Sequence, residues 1–516
     1  MHFARKGAVR TLAAAAIGFM CAFGASAHSV TVAVGTTFST LDPYDAPDGM
    51  TRICAKSIYE GLFTFDKNLK LVPELAESYS VSPDGLVYTM KLKKGVKFHD
   101  GTDFTSAAVK ANFDRLLNPE NHLGRISIFN FIAKVEAPDP ETAVFTLKHP
   151  MAGFVRRLAT TTPQMICPSY LEKYGKDKKL AQLACGTGPY LFESFSPTEG
   201  LRVKKNPNYR VKGLPKLDGI HFIPVVENST RAAMLRTGEA QFVTPMPLEL
   251  IKSLQDDPAI VIQTTPSVMS RYLSINTTAA PFNNPKVREA INYAINKEAF
   301  CKVAYAGFAV PAEGVMPSML PGYEKLGPWP YNPQKARELL KEAGYPQGFS
   351  TVLWSGYSNS TSAKALQFIQ QQLRQVGIKV ETKLLEPGVR ASDVYGVQNP
   401  KDAKHRLYYI GWSDATLDPD FTLRPVLDSR AAPPSFMNTA YYSNPEFDHR
   451  LDEAMVETDE AKRAEIYREA QKIVWKDAPW AFLAYEMATA GASRHLKNFT
   501  IRADSAFDFY EAEWVD

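Results

Sequence analysis

Among the residue types that carry chemistry in this 516-residue chain, the cysteines have the most informative spacing. Cys167 and Cys185 stand close enough in sequence to close a short loop, while Cys54 and Cys301 are isolated and Cys21 falls inside an apolar N-terminal run. None has the paired spacing of a zinc site. The expectation is a Cys167–Cys185 disulfide, worth about 3 kcal/mol in the chain-entropy description, with Cys54 and Cys301 as buried thiols. The nine histidines are scattered, which offers no metal or haem ligand set. There is no H-E-x-x-H, no phosphate-binding G-x-x-x-x-G-K-[ST], no G-x-S-x-G elbow and no dinucleotide-type G-x-G-x-x-G after a strand. No catalytic residue, metal or cofactor is therefore expected. A triad assembled from distant residues leaves no local motif, so a secreted hydrolase stands as the competing class.

Other chemically capable side chains have plainer readings. Lys91, Lys93, Lys94 and Lys97 read as a solvated strand face. Arg231 and Arg236 lie in a helix-like stretch and read as structural, with Asn228 as the expected helix cap. Phe104, Tyr190 and Tyr442 read as core aromatics.

The N-terminus sets the compartment. Arg5, Lys6 and Arg10 precede an apolar run from Leu12 to Phe23 that ends in Ala25-Ser26-Ala27, the pattern of a secretory signal peptide. Cleavage is expected after Ala27, giving a periplasmic product. Cys21 is preceded by Phe19-Met20 rather than by small residues, so no lipid attachment is expected. Removing residues 1–27 takes away three basic residues from a chain of formal charge +4. The near-neutral remainder has no basic block, hence no electrostatic footprint for nucleic acid. A chain this long exceeds the roughly 250 to 300 residues that one core supports, so at least two lobes must form. Strand-like runs such as Val30 to Val34, Ile220 to Val226 and Gly377 to Val380 alternate with amphipathic helices, which predicts an α/β fold. Helices are expected from Asn284 to Tyr305 and from Pro333 to Ala343, the latter stopped by Gly344. Dispersed Pro and Gly leave no flexible linker, so the lobes should be joined by several chain crossings.

Several stretches are similar to the dipeptide and oligopeptide family of extracellular solute-binding proteins. They are Ala76-Glu77-Ser78-Tyr79 with Ser82-Pro83-Asp84-Gly85, Gly95 to Gly101, Gly186 to Tyr190, Phe282 to Arg288, Gly411-Trp412 with Asp418-Pro419-Asp420, and Tyr442 to Asp448. They span the chain after residue 27. The stretches Phe38 to Ala46, Asn228 to Phe242 and Lys335 to Pro346 further resemble the glutathione-binding members. The resemblance implies a two-lobed periplasmic binding protein fold with an extra inserted subdomain. The first lobe would comprise 28–56, 186–270 and 486–516, the insertion 57–185 and the second lobe 271–485. It also implies a monomeric receptor that delivers a small peptide-like ligand, glutathione in preference, to an inner-membrane ABC permease driven by cytoplasmic ATPases. General dipeptide, oligopeptide, haem or nickel-chelate binding are the alternatives on the same scaffold.

A peptide buried between lobes takes an ammonium and at least one carboxylate out of water, and such charges need partners. In relatives an acid shortly after Gly-Trp meets the ligand ammonium. Here Trp412 is followed by Ser413 and Asp414, and Ala415 stands where that acid is usual. Asp414 is the expected substitute, with Trp412 as a ligand wall. Arg271, where the chain should enter the second lobe, is the expected carboxylate grip. The resemblance adds Thr37, Phe38 and Ser39 after the first strand, Trp354, Tyr357 and Asn359 in a second-lobe loop, and Asn438.

Overall fold

The β-branched run near the start forms the strand Ser29–Val34, which pairs in parallel with Gly219–Pro224 on one side and Phe242–Thr244 on the other. The structure, a computed structural model, describes residues 28–414 and 416–516. The N-terminal segment with its expected cleavage after Ala27, and Ala415, lie outside the described residues.

One mixed sheet runs through the molecule. From one edge its strands are Ile378–Leu384, Phe349–Ser355, Leu407–Ser413, Ile260–Ile275, Trp480–Ser493, Phe242–Thr244, Ser29–Val34, Gly219–Pro224, Gly200–Lys205 and Tyr190–Ser196, with Ala309–Pro311 paired onto Trp480–Ser493 off this path. Ile260–Ile275 and Trp480–Ser493 are much the longest, at 16 and 14 residues, and run antiparallel. At one end of this ribbon Phe242–Thr244 pairs with Gly491 and Ala492. At the other, Leu407–Ser413 pairs with Met269 to Ile275. The ladder loses register between Pro266 and Ser270 and again between Arg271 and Tyr272. The two halves of the ribbon thus pair with different strands, and the irregularity lies between them. A bulge bends and twists a strand locally, which is the natural place for two lobes to flex.

A second, four-stranded antiparallel sheet in the order Ala76–Val81, Val87–Leu92, Thr142–Leu147, Ile132–Asp139 builds the segment between the first strand and Tyr190. The Asp84-Gly85 turn joins its first two strands, with Gly85 at φ +69°, a backbone region that suits glycine. The helix Ser106–Leu117 packs on this sheet through Val109, Phe113 and Leu116. Cys167 and Cys185 form a disulfide with Cα atoms 5.4 Å apart, and Cys54 and Cys301 are buried free thiols.

Two local expectations are corrected. The stretch from Asn284 to Tyr305 is two helices, Pro285–Ala294 and Lys297–Tyr305. Ile295 is extended and the Asn296 side chain caps Ala299 N, so the second helix starts afresh. Asn228 does not cap its helix. Glu227 does, accepting from the backbone of Ser229 and Thr230, while Asn228 Oδ1 accepts from Arg231. Arg231 is structural: it is buried and donates to the carbonyls of Val225 and Pro245. The helix Pro333–Glu342 ends before Gly344 at φ +91°.

Candidate functional site

Where Leu407–Ser413 borders the long ribbon, Ser270 lies opposite Trp412 and Arg271 opposite Gly411. Gly411 is required there: a Cβ would come within 2.7 Å of Arg271 Nη1 and 2.8 Å of Ser270 O. The missing side chain lets the guanidinium lie flat against the strand. Arg271 Nε donates to Glu486 Oε1 at 2.5 Å, Cζ sits 4.7 Å from the centroid of Tyr357, and Nη1 is buried without a hydrogen-bond partner. Burial opposes the charge on Arg271, but Glu486 and the surrounding tyrosine oxygens outweigh it, holding its pKa above the ordinary value. A buried guanidinium with a donor left over is costly to maintain unless something else uses it.

Tyr357 also lines a pocket of about 210 Å³. Among the described residues its walls are Tyr272, Tyr357, Tyr395, Trp412, Ile410, Gly411, Val426, Met437 and Thr439, with Arg390 as the only charged one. Tyr357 is placed by the end of strand Phe349–Ser355, where Ser355 Oγ accepts from Tyr357 N and donates to Tyr357 O. The short helix Pro387–Arg390 runs into a π-turn, Ala391–Tyr395. That wider turn brings residues five apart onto one face, and Arg390 and Tyr395 both reach the pocket. Arg390 Nη1 donates to Gly356 O at 2.7 Å. The Trp412 indole packs against Phe421 and Phe436, and its N–H donates to Phe421 O at 2.9 Å.

The sequence-predicted residues separate into two groups. Tyr357 and Trp412 line this pocket, with Arg271 against the Tyr357 ring and Ser413 next along the strand, paired with Met269. Trp354 packs in the same core, with the Lys383 ammonium 4.9 Å from its ring. The others, apart from Thr37, have their polar atoms engaged, or their bulk buried, within the protein. Phe38 packs edge-on to Phe195 in the core. Ser39 donates to Asp48 and, through its backbone, to Thr51. Thr37 is exposed in the same loop. Asn359 caps the helix Ser360–Gln375. Asn438 is fully buried and donates to the carbonyls of Asp428 and Tyr442. Asp414 is buried, and its two oxygens accept from Thr416 and Thr422. Burial pushes its pKa up to about 6 against the lowering effect of those two hydroxyls.

Arg390, Tyr395, Tyr272 and Met437 were not legible as site residues. Nothing in Pro387 to Tyr395 marks it as other than a polar surface loop, and the π-turn has no local signature. Tyr272, next to Arg271, could have been found by its position at the lobe crossing.

A larger cavity of about 580 Å³ shares no lining residue with this pocket. Part of its charge is already matched: Glu60 accepts from Thr187, Tyr209 and Arg210, Lys56 lies 3.7 Å from Glu74, and Arg502 pairs with Asp504, while Asp66, Lys67, Asp508 and Glu511 also line it. The smaller pocket, at the lobe crossing and beside an unpaired donor, is the stronger candidate. Among the described residues one grouping could hold a metal ion, Asp100 with Cys167 and Cys185, but both its sulfurs are joined in the disulfide.

Known proteins agree with the architecture over almost the full length. The glutathione-binding protein GsiB of Escherichia coli (strain K12) is 49% identical over 509 residues, 99% of this chain and 98% of that one. Among solved structures, the ABC transporter-associated periplasmic binding protein DppA from Helicobacter pylori, in complex with peptide STSA, is 30% identical with a TM-score of 0.77, covering 95% and 98% of the two chains. A dipeptide binding protein from Pseudoalteromonas sp. SM9913 in complex with Met-Leu is 25% identical with a TM-score of 0.79, covering 94% and 100%. The family model described as bacterial extracellular solute-binding proteins, family 5 Middle, matches residues 70–433. With the two-lobed fold, the ribbon that crosses between lobes and a pocket at that crossing, these matches show that the chain belongs to family 5 of the bacterial extracellular solute-binding proteins.

Proposed function

We propose that this chain is the periplasmic receptor of an ABC importer that captures glutathione between its lobes and delivers it to an inner-membrane permease, without covalent chemistry of its own. The observation that carries the receptor reading is the position of the pocket: Trp412 lies in register with Ser270, where the ribbon linking the lobes loses its regular pairing. A ligand there touches the element about which the lobes close, so binding energy can favour the closed form. The assignment of glutathione rests on the relation to GsiB along the whole chain and on the cationic, aromatic character of the pocket.

The division into first lobe 28–56, 186–270 and 486–516, insertion 57–185 and second lobe 271–485 is part of this reading, supported by the way the two halves of the ribbon pair with different strands. So are export with removal of residues 1–27, action as a monomer, and coupling to cytoplasmic ATPases through the permease. Of the residues proposed to serve the ligand, Tyr357 and Trp412 line the pocket, Arg271 lies against Tyr357, and Ser413 follows Trp412 on its strand. Thr37, Phe38, Ser39, Trp354, Asn359, Asp414 and Asn438 complete the proposed set.

Isothermal titration calorimetry of the mature protein with reduced glutathione, oxidised glutathione and Ala-Ala tests the assignment. Saturable one-to-one binding of either glutathione form, with Ala-Ala much weaker, is the expected result. Binding of Ala-Ala with no heat from glutathione would keep the receptor role and overturn the ligand. Recovery of cleaved ligand after incubation would overturn the non-enzymatic reading.

A further inference from the structure

Among the described residues the cation at the pocket wall has no counter-ion. Arg390 is the only charged side chain lining the pocket, and among the described residues no carboxylate lies within ion-pair distance of it. Its hydrogen bond to the protein, Nη1 to Gly356 O at 2.7 Å, leaves the rest of the guanidinium fork uncommitted. Tyr357 holds it in place. The Arg390 Cζ lies 6.0 Å from the Tyr357 centroid and the Arg271 Cζ 4.7 Å from the same ring, so the tyrosine is gripped by two guanidinium groups. Only Arg271 is neutralised, by Glu486. The remaining walls are aromatic, apolar or weakly polar and contribute no negative charge.

We propose that Arg390 determines specificity by receiving the ligand's C-terminal carboxylate. The inference rests on the reading of this pocket as the ligand site. A planar fork with free N–H groups matches the two oxygens of a carboxylate, and the aromatic walls offer no competing anion. The same charge decides which end of the ligand enters. In glutathione the γ-glutamyl end carries a carboxylate and an ammonium on one carbon, and the glycyl end carries a carboxylate alone. A pocket whose only charge is positive repels the ammonium, so the glycyl end is the one it takes. Tyr357 and the Arg271–Glu486 pair act as positioning groups behind Arg390.

The test compares wild type, Arg390→Gln and Arg390→Lys by calorimetry with four probes: glutathione, its glycyl monoethyl ester, Ala-Ala and Ala-Ala amide. Wild type is expected to bind the free acid about tenfold to a hundredfold more tightly than the capped form, the range of a charge-assisted hydrogen bond. Arg390→Gln is expected to lose a similar factor toward the acid and to bind acid and capped forms alike. Arg390→Lys should recover part of the preference, which a merely structural arginine would not allow. The same acid-to-capped ratio in wild type and in Arg390→Gln, with both proteins melting alike, overturns the proposal. If wild type ignores glutathione but prefers Ala-Ala to its amide, and Arg390→Gln abolishes that preference, the glutathione assignment falls and the role of Arg390 stands.

Discussion

The indole N–H of Trp412 donates to the carbonyl of Phe421 at 2.9 Å, and the Arg157 guanidinium lies 5.7 Å from the Phe421 ring. A wall of the pocket is thereby tied to a residue that the subdomain carrying Arg157 covers from outside. Trp412→Phe keeps most of the wall but leaves the Phe421 carbonyl without its donor. Loss of one hydrogen bond, about 0.5 to 1.5 kcal/mol, should weaken ligand binding roughly twofold to tenfold. Arg157→Ala does not touch the pocket, yet should also weaken binding by freeing Phe421. Titration of both variants checks this, and an unchanged Kd for Arg157→Ala would break the proposed link.

Gly153 packs against Asp418 with no room for a side chain. A Cβ there would fall 2.3 Å from Asp418 Oδ2, and Asp418 cannot swing aside because Arg463 holds both its oxygens at 2.8 and 2.9 Å. Gly153→Ala must therefore push the two elements apart, at a cost of about 1 to 3 kcal/mol typical of overpacking. A lower Tm by calorimetry is expected, with Arg156 losing its bond to Leu417 O. A variant as stable as the parent would show that this contact yields readily.

Asp414 makes stability depend on pH. Burial raises its pKa from an ordinary 3.8 to about 6, so between those values the folded protein binds more protons than the unfolded chain. By linkage the contribution is fully present below about pH 4 and is lost as pH rises through 6, an effect on the order of 3 kcal/mol. Asp414→Asn removes the charge while keeping an acceptor for Thr416 and a donor toward Thr422. It should be more stable than the parent at pH 7 and about equal at pH 4. Urea unfolding at both values measures the difference, and identical pH profiles for the two proteins would exclude it.

The Cys167–Cys185 bridge closes a loop with a sequence separation of 18. It sits where the chain leaves the four-stranded subdomain, with Cys167 N also donating to Cys185 O at 2.9 Å. The paired substitution Cys167→Ala and Cys185→Ala should cost about 3 kcal/mol, read as a lower Tm with ligand affinity retained. Unchanged stability after the substitution would show that the backbone pairing alone secures this loop.

Features dictated by near neighbours in the chain were legible from the outset. Asn284 before Pro285 starts a helix, Gly344 ends one, Asp84-Gly85 turns a hairpin, and alternating β-branched runs make the strands of the sheet. The segments at Gly411-Trp412 and around Arg271 form paired strands. Beyond that range the outcome depended on packing. Ile260–Ile275 and Trp480–Ser493 are separated by about two hundred residues, and no local propensity dictates that they pair or where the ladder loses register. Asp414 turned inward because Thr416 and Thr422 offered hydroxyls on the buried side. Arg390 reached the pocket because a π-turn and the Gly356 carbonyl aimed it there. Residue types state which groups can hold charge or wall a ligand, and local pattern states which helices and strands carry them. Which of those groups end with an unpaired donor facing a cavity is settled only when distant strands meet, because burial and partner count are properties of the assembled neighbourhood.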